Sequence, residues 1–71
     1  MKTLTPQQMI DLIEDRGWYL YRQRGSHRVY RSLSDMSKMT VIPYHKHDLA
    51  PGTQRAIMRD VGLTPADLAA L

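Results

Sequence analysis

Three histidines, His27, His45 and His47, are the side chains of this chain best suited to moving a proton near neutrality, because an unperturbed imidazole titrates at about 6.5. His27 follows Gly25 and Ser26 and stands between Arg24 and Arg28. A phosphodiester bound there would meet a proton carrier and fixed positive charge together. RNA cleavage by an internal 2′-hydroxyl requires that pair: one group moves the proton of the attacking hydroxyl, and cations stabilise the pentavalent dianion. The products would be a cyclic phosphate and a 5′-hydroxyl. On the triplet alone the plainer reading stands ahead, a turn histidine hydrogen-bonded to backbone. His45 and His47 flank Lys46, a spacing that could serve a metal in an extended loop. Beyond His27 or Asp48 no third ligand is indicated, so a solvated or phosphate-contacting loop is the better account, and the sequence calls for no metal and no cofactor.

Charge supports an anionic partner. Ten lysines and arginines oppose seven acids, for a net +3. Arg16, Arg22, Arg24, Arg28 and Arg31 fall within sixteen residues that hold no acid, whereas Asp11, Glu14 and Asp15 sit just before them. Such a stretch is a local cationic surface suited to a phosphate backbone; a solvated strand face that protects an edge is the competing account. The chain has no cysteine, which removes disulfides, thiolate metal sites and cysteine nucleophiles and points to the cytoplasm. No apolar run approaches a membrane span or a signal peptide.

The elements that must position these residues can be read in order. With 71 residues there is room for one core, hence a single domain over 1–71. Thr5-Pro6-Gln7-Gln8 reads as a capped helix start, with Met9, Leu12, Ile13 and Arg16 at helical spacing and Gly17 as its stop. Trp18–Arg24 and His27–Ser32 alternate with period two around Gly25-Ser26 and predict a hairpin. Met39-Thr40-Val41-Ile42, stopped by Pro43, predicts a third strand, and Tyr44–Ala50 a loop. A second helix spans Pro51–Val61 before Gly62, and Thr64-Pro65 starts a short last one. The fold class is α+β, in the order α-β-β-β-α-α: a three-stranded antiparallel sheet with helices on one face and the other face open. Trp18, Leu20, Val29, Val41, Leu12 and Ile57 are the expected core. Tyr19, Tyr21 and Tyr30 then fall on the open face, where they could stack bases, receive a protein, or pair across strands. If Val29 faces the helices, His27 shares that face at its rim.

Gly17-Trp18, Arg22, Gly25-Ser26-His27, Thr40-Val41-Ile42-Pro43-Tyr44-His45, Asp48-Leu49, Pro51-Gly52-Thr53, Arg55, Ile57 and Gly62-Leu63, in that order and spacing, resemble the HicA family of messenger-RNA-cleaving toxins. The resemblance covers nearly the whole chain. It implies a double-stranded-RNA-binding-like α-β-β-β-α fold, here with an extra short C-terminal helix, and a metal-independent, ribosome-independent endoribonuclease with His27 as the catalytic residue. It also implies a hetero-oligomeric complex with a HicB-type antitoxin that covers this histidine and often binds the operon's DNA. Many relatives carry a second histidine where this chain has Arg28, which rules out a two-histidine mechanism at the turn. The loop after Pro43 is also shorter than in relatives with a glycine-containing step before Asp-Leu.

On this reading Arg22, Arg24, Ser26, Arg28 and Lys46 hold messenger RNA. Tyr19, Tyr21, Tyr30 and His27 meet the antitoxin, which should be acidic opposite the arginines, with Met39 adding apolar burial. Two other readings use the same residues: a non-catalytic RNA-binding module of the same fold, and a protein-interaction domain built on the tyrosine face.

Overall fold

The structure, a computed structural model, describes residues 1–71. Thr5 opens the first helix, α1 (Pro6–Glu14), through a reciprocal capping box. The Gln8 N–H donates to Thr5 Oγ1 at 3.2 Å, and the Thr5 N–H donates to Gln8 Oε1 at 2.9 Å. Pro6 occupies the first helical position, where its missing N–H costs nothing. α1 has nine residues, about two and a half turns, and ends at Glu14, before Arg16 and the Gly17 expected to stop it. Its chain reverses through Gly17 at φ +86°, a conformation that glycine adopts without a Cβ clash.

Three strands follow, β1 (Trp18–Arg24), β2 (His27–Ser32) and β3 (Met39–Pro43), antiparallel and side by side in chain order. Gly25, at φ +58°, takes the first central place of the two-residue link that sets Arg24 opposite His27, as a type II′ hairpin requires. The second helix, α2 (Pro51–Val61), ends on Gly62 in the left-handed region. Helix α3 (Pro65–Ala69) starts where the Thr64 N–H and hydroxyl both donate to the Asp67 carboxylate, at 2.7 and 3.0 Å. No helix is long and apolar enough to cross a membrane. The architecture is the expected α+β, double-stranded-RNA-binding-like arrangement with an additional C-terminal helix.

The phase of the sheet is the reverse of the one expected for β2 and β3. Tyr30 is 1% exposed and Ile42 fully buried against the helices, together with Ser32 and Thr40, whereas Val41 is 47% exposed and Val29 only partly covered. The choice follows from area. Isoleucine in place of valine buries one more methylene, about 0.8 kcal/mol, and the Tyr30 ring adds far more apolar surface than Val29 could. Leu20, expected in the core, is 43% exposed at the edge of the sheet. A bulge between Leu20 and Arg22 inserts Tyr21 as an extra residue, so that Arg22 rather than Tyr21 faces Val29. The expected core residues Trp18 and Ile57 are buried as read, and Leu12 packs against the cluster from its margin.

A buried glutamine ties the two ends of the chain's framework together. Gln54 of α2 is fully buried. Its Oε1 accepts the Leu4 N–H at 2.7 Å, and its Nε2 donates to the Lys2 carbonyl at 2.7 Å. Beside it the Leu49 N–H donates to the Leu4 carbonyl at 2.7 Å. The segment before α1 is thereby fastened to α2 and to the loop ahead of it, and Leu4 is sealed into the core.

Two measurements check this frame. Gln54→Ala strands the buried Leu4 N–H, and urea unfolding should show a loss of about 1–3 kcal/mol, the desolvation cost of an unpaired buried donor. The second concerns α3. The Thr64 N–H, backed by its hydroxyl and by Arg16, holds the Asp67 carboxyl below the usual carboxylate range. A depressed folded-state value means that the contribution is complete above the unfolded value of about 3.9 and is lost as pH falls through the folded one. Amide protection around Leu68, taken relative to the intrinsic exchange rate at each pH, should therefore fall on acidification before that of the rest of the core, and Asp67→Asn should abolish this difference.

Candidate active site

The burial of Tyr30 decides where His27 points. Residues of one strand alternate between faces, so with Tyr30 and Ser32 turned to the helices, His27, Val29 and Arg31 lie on the open face. His27 is exposed there as the first residue of the central strand, with Arg24 directly across on β1 and Pro43 across on β3. One step along, Arg22 and Val41 flank Val29, and the next row sets Tyr19 and Met39 beside Arg31. His27 therefore does not share a face with the helices. The turn beneath it is held through its carbonyls: the Tyr44 N–H donates to that of Ser26 at 2.6 Å, and the Gln23 side-chain Nε2 donates to that of Gly25 at 3.1 Å. The imidazole takes no part in those bonds. Ser26 is exposed at the tip of the turn.

Arg28 goes the other way. It shares the helix-side phase of Tyr30, and its guanidinium lies 3.7 Å over the centroid of the Tyr44 ring, a cation–π contact. The Tyr44 hydroxyl in turn donates to Gln7 Oε1 of α1 at 2.9 Å. Arg28 is half-buried and its Nε is enclosed without a partner. The expectation that Arg24 and Arg28 flank one phosphate with His27 is thus corrected: of the arginines near the turn, Arg24 and Arg22 stand on the histidine's face and Arg28 does not. Burial pushes the Tyr30 phenol above its usual range, and the neighbouring Arg28 partly offsets this. A buried Tyr30 cannot meet an antitoxin, so its expected place on the open face with Tyr19 and Tyr21 is corrected too.

Tyr19 and Tyr21 do lie on the open face, in company that residue types alone did not reveal. The Arg31 guanidinium sits 3.9 Å over the Tyr21 ring, and its Nη2 approaches Met39 Sδ at 3.6 Å. The Tyr19 hydroxyl approaches Met36 Sδ at 3.6 Å. Exposed Tyr21, Met36, Met39 and Val41 thus adjoin the arginine row. The bulge brings Tyr21 over Arg31, and it leaves a sign only in the strand lengths, seven residues in β1 against six in β2.

Lys46 is exposed in the loop after β3, in a cleft it lines with Thr5, Gln7, Tyr44, His45 and His47. This cleft is on the α1 side of the hairpin end. The rings of His45 and His47 are 6.0 Å apart, and the His47 N–H donates to His45 Nδ1 at 3.2 Å. That bond occupies one ring nitrogen of His45 and leaves Nε2 as the other.

The open face therefore presents an accessible imidazole at one end, two arginines beside it and aromatic and thioether surface beyond. Such an arrangement can bind a polyanion along the strands, move a proton at one phosphate and hold the developing charge. No individually curated protein matches the chain. The family model of the HicA toxin of bacterial toxin–antitoxin systems matches residues 6–63, from the first residue of α1 to the turn after α2. With most of its 71 residues matched, the chain belongs to the HicA toxin family of bacterial toxin–antitoxin systems.

Proposed function

We propose that this chain is the toxin of its system by virtue of a metal-independent endoribonuclease activity on messenger RNA, with His27 as its catalytic residue. The observation that carries the reading is the exposed His27–Arg24 pair at the mouth of the hairpin, on the open face of the sheet. RNA lies along this face. His27 takes the proton of a 2′-hydroxyl as that oxygen bonds to phosphorus. The bond to the 5′-oxygen breaks, and the protonated imidazole returns the proton to it, leaving a 2′,3′-cyclic phosphate and a 5′-hydroxyl. Arg24 and Arg22 hold the charge that develops on phosphorus. Lys46 and Ser26 extend the phosphate contacts around the end of the hairpin, Lys46 from the α1 side. Arg28 braces Tyr44 and positions the turn rather than touching the scissile phosphate.

The same face is the one a HicB-type antitoxin would cover, with acidic groups opposite Arg22 and Arg24 and apolar groups on Tyr21, Met39 and Val41. Burying His27 in this way silences the toxin without any change in its fold. Tyr19 sits at the margin of that contact.

His27 is exposed, so replacing it leaves the core untouched. His27→Ala should bind labelled RNA as the parent does but cut it about 10²–10⁴-fold more slowly, the usual contribution of a placed acid–base group. Arg24→Gln should instead weaken binding and lower the dependence of log affinity on log salt by about 0.7, the single-strand value for one phosphate contact. RNA that is shifted but uncut by the parent would mark a binding module, and cleavage by His27→Ala at the parent's rate would remove His27 from the mechanism.

A further inference from the structure

A second basic site lies at the far end of the sheet, about 17 Å from His27 by the rise of β2. A cavity of about 310 Å³ opens there among Trp18 and Ser32 at the ends of β1 and β2, Ser34 and Lys38 in the β2–β3 connection, Arg16 before β1, and Arg59 and Asp60 near the end of α2. The volume is at the lower end of the roughly 300–1,000 Å³ usual for small-ligand sites. We propose that this cavity binds a phosphate group, on RNA or on a free nucleotide, independently of the His27 face.

Three cations from three separate parts of the chain converge on it. Lys38 and Arg59 are exposed and make no ion pair, since the one salt bridge in the molecule joins Arg16 to Asp67. That bridge offsets the charge of Arg16 but leaves it hydrogen-bond donors: a single Nη2 contact of 2.9 Å is used, and a guanidinium has five N–H donors. Against them stands one lining carboxylate, Asp60, which already accepts the Thr40 hydroxyl at 3.1 Å. The α2 C-terminus adds only a partial negative charge, so the lining remains net positive.

A pair of hydroxyls adds one further donor. Ser32 is buried at 5% exposure, and its Oγ accepts the Asp35 N–H at 3.2 Å while lying 3.0 Å from Ser34 Oγ. With Ser32 donating to Ser34, the Ser34 proton is left for a ligand. Donors arriving from three directions suit a tetrahedral phosphate, whose free oxygens point apart, three of them with a charge near −2 on a monoester and two with a charge of −1 on the RNA backbone. A planar carboxylate would be satisfied by one bidentate arginine.

Trp18 is the only tryptophan and forms part of the wall, so its emission reports occupancy without reference to RNA cleavage. Inorganic phosphate, a nucleoside 5′-monophosphate and a short RNA are titrated into the full chain at constant ionic strength, with chloride as baseline. The expected result is a saturable change with at least one of them, weakened about tenfold or more in Lys38→Gln and in Arg59→Gln, each of which loses a charge-assisted hydrogen bond. Both residues are exposed, and circular dichroism checks that the fold persists. A response to phosphate or mononucleotide identifies a free ligand; a response to RNA alone identifies the RNA backbone. No saturable change with any of the three, or a change that survives both substitutions, overturns the proposal. So does a response to an acidic peptide without one to phosphate, which would assign the cavity to a protein partner. None of these failures touches the His27 reading.

Discussion

The placement of Tyr30 is the constraint on which the rest of the molecule depends. It sits in the middle of the central strand at 1% exposure, and a residue so placed commits its whole strand, because side chains alternate between faces. Once its ring is under the helices with Ile42 of the neighbouring strand, Ser32 and Arg28 must follow, and His27, Val29 and Arg31 are turned outward. A slip of one residue would bury a histidine and two valines and expose a tyrosine and an isoleucine. The hydrophobic term therefore settles the orientation of His27, although that residue contributes nothing to the core.

The hairpin and the bulge then determine what stands beside the histidine. Gly25 closes a two-residue turn and puts Arg24 across from His27. Without the bulge at Tyr21, continued alternation would send Trp18 and Arg24 to the same face. The extra residue allows Trp18 to enter the core while Arg22 and Arg24 remain with His27 on the open side. The turn is braced from below, through Arg28 on Tyr44 and Tyr44 on Gln7, so the imidazole projects from a supported position. A group presented from a rigid strand end needs little reorganisation to meet a phosphate, which is the condition for an effective acid–base residue.

Much of this was legible in residue order. Proline and threonine at the starts of α1 and α3, and glycine after α2, gave the helix limits, because caps are local chemistry. Gly25-Ser26 gave the hairpin and so the place of His27 in it. The phase of β2 and β3 was not legible, for a specific reason: each strand offers an apolar residue on both faces, Val29 against Tyr30 and Val41 against Ile42, with an arginine in either set. Period two is equally well satisfied both ways, and only competition for area under the helices decides. The bulge is not legible because Tyr19, Tyr21 and Leu20 fit unbroken alternation. Nor are the Gln54 contacts and the cavity beside Trp18, because each is assembled from residues far apart in the chain.

The central claim is that RNA is engaged on the face where His27, Arg24 and Val29 lie, opposite the one that holds Arg28 and Tyr30. An RNA made uncleavable by 2′-deoxy substitution and carrying photoreactive 4-thiouridines tests it directly, with the cross-linked residues identified by mass spectrometry. Cross-links at Arg22, Arg24, His27 and Val29 are the result this account predicts. Cross-links gathered instead on Arg28 and Tyr44, with none around His27, would contradict it.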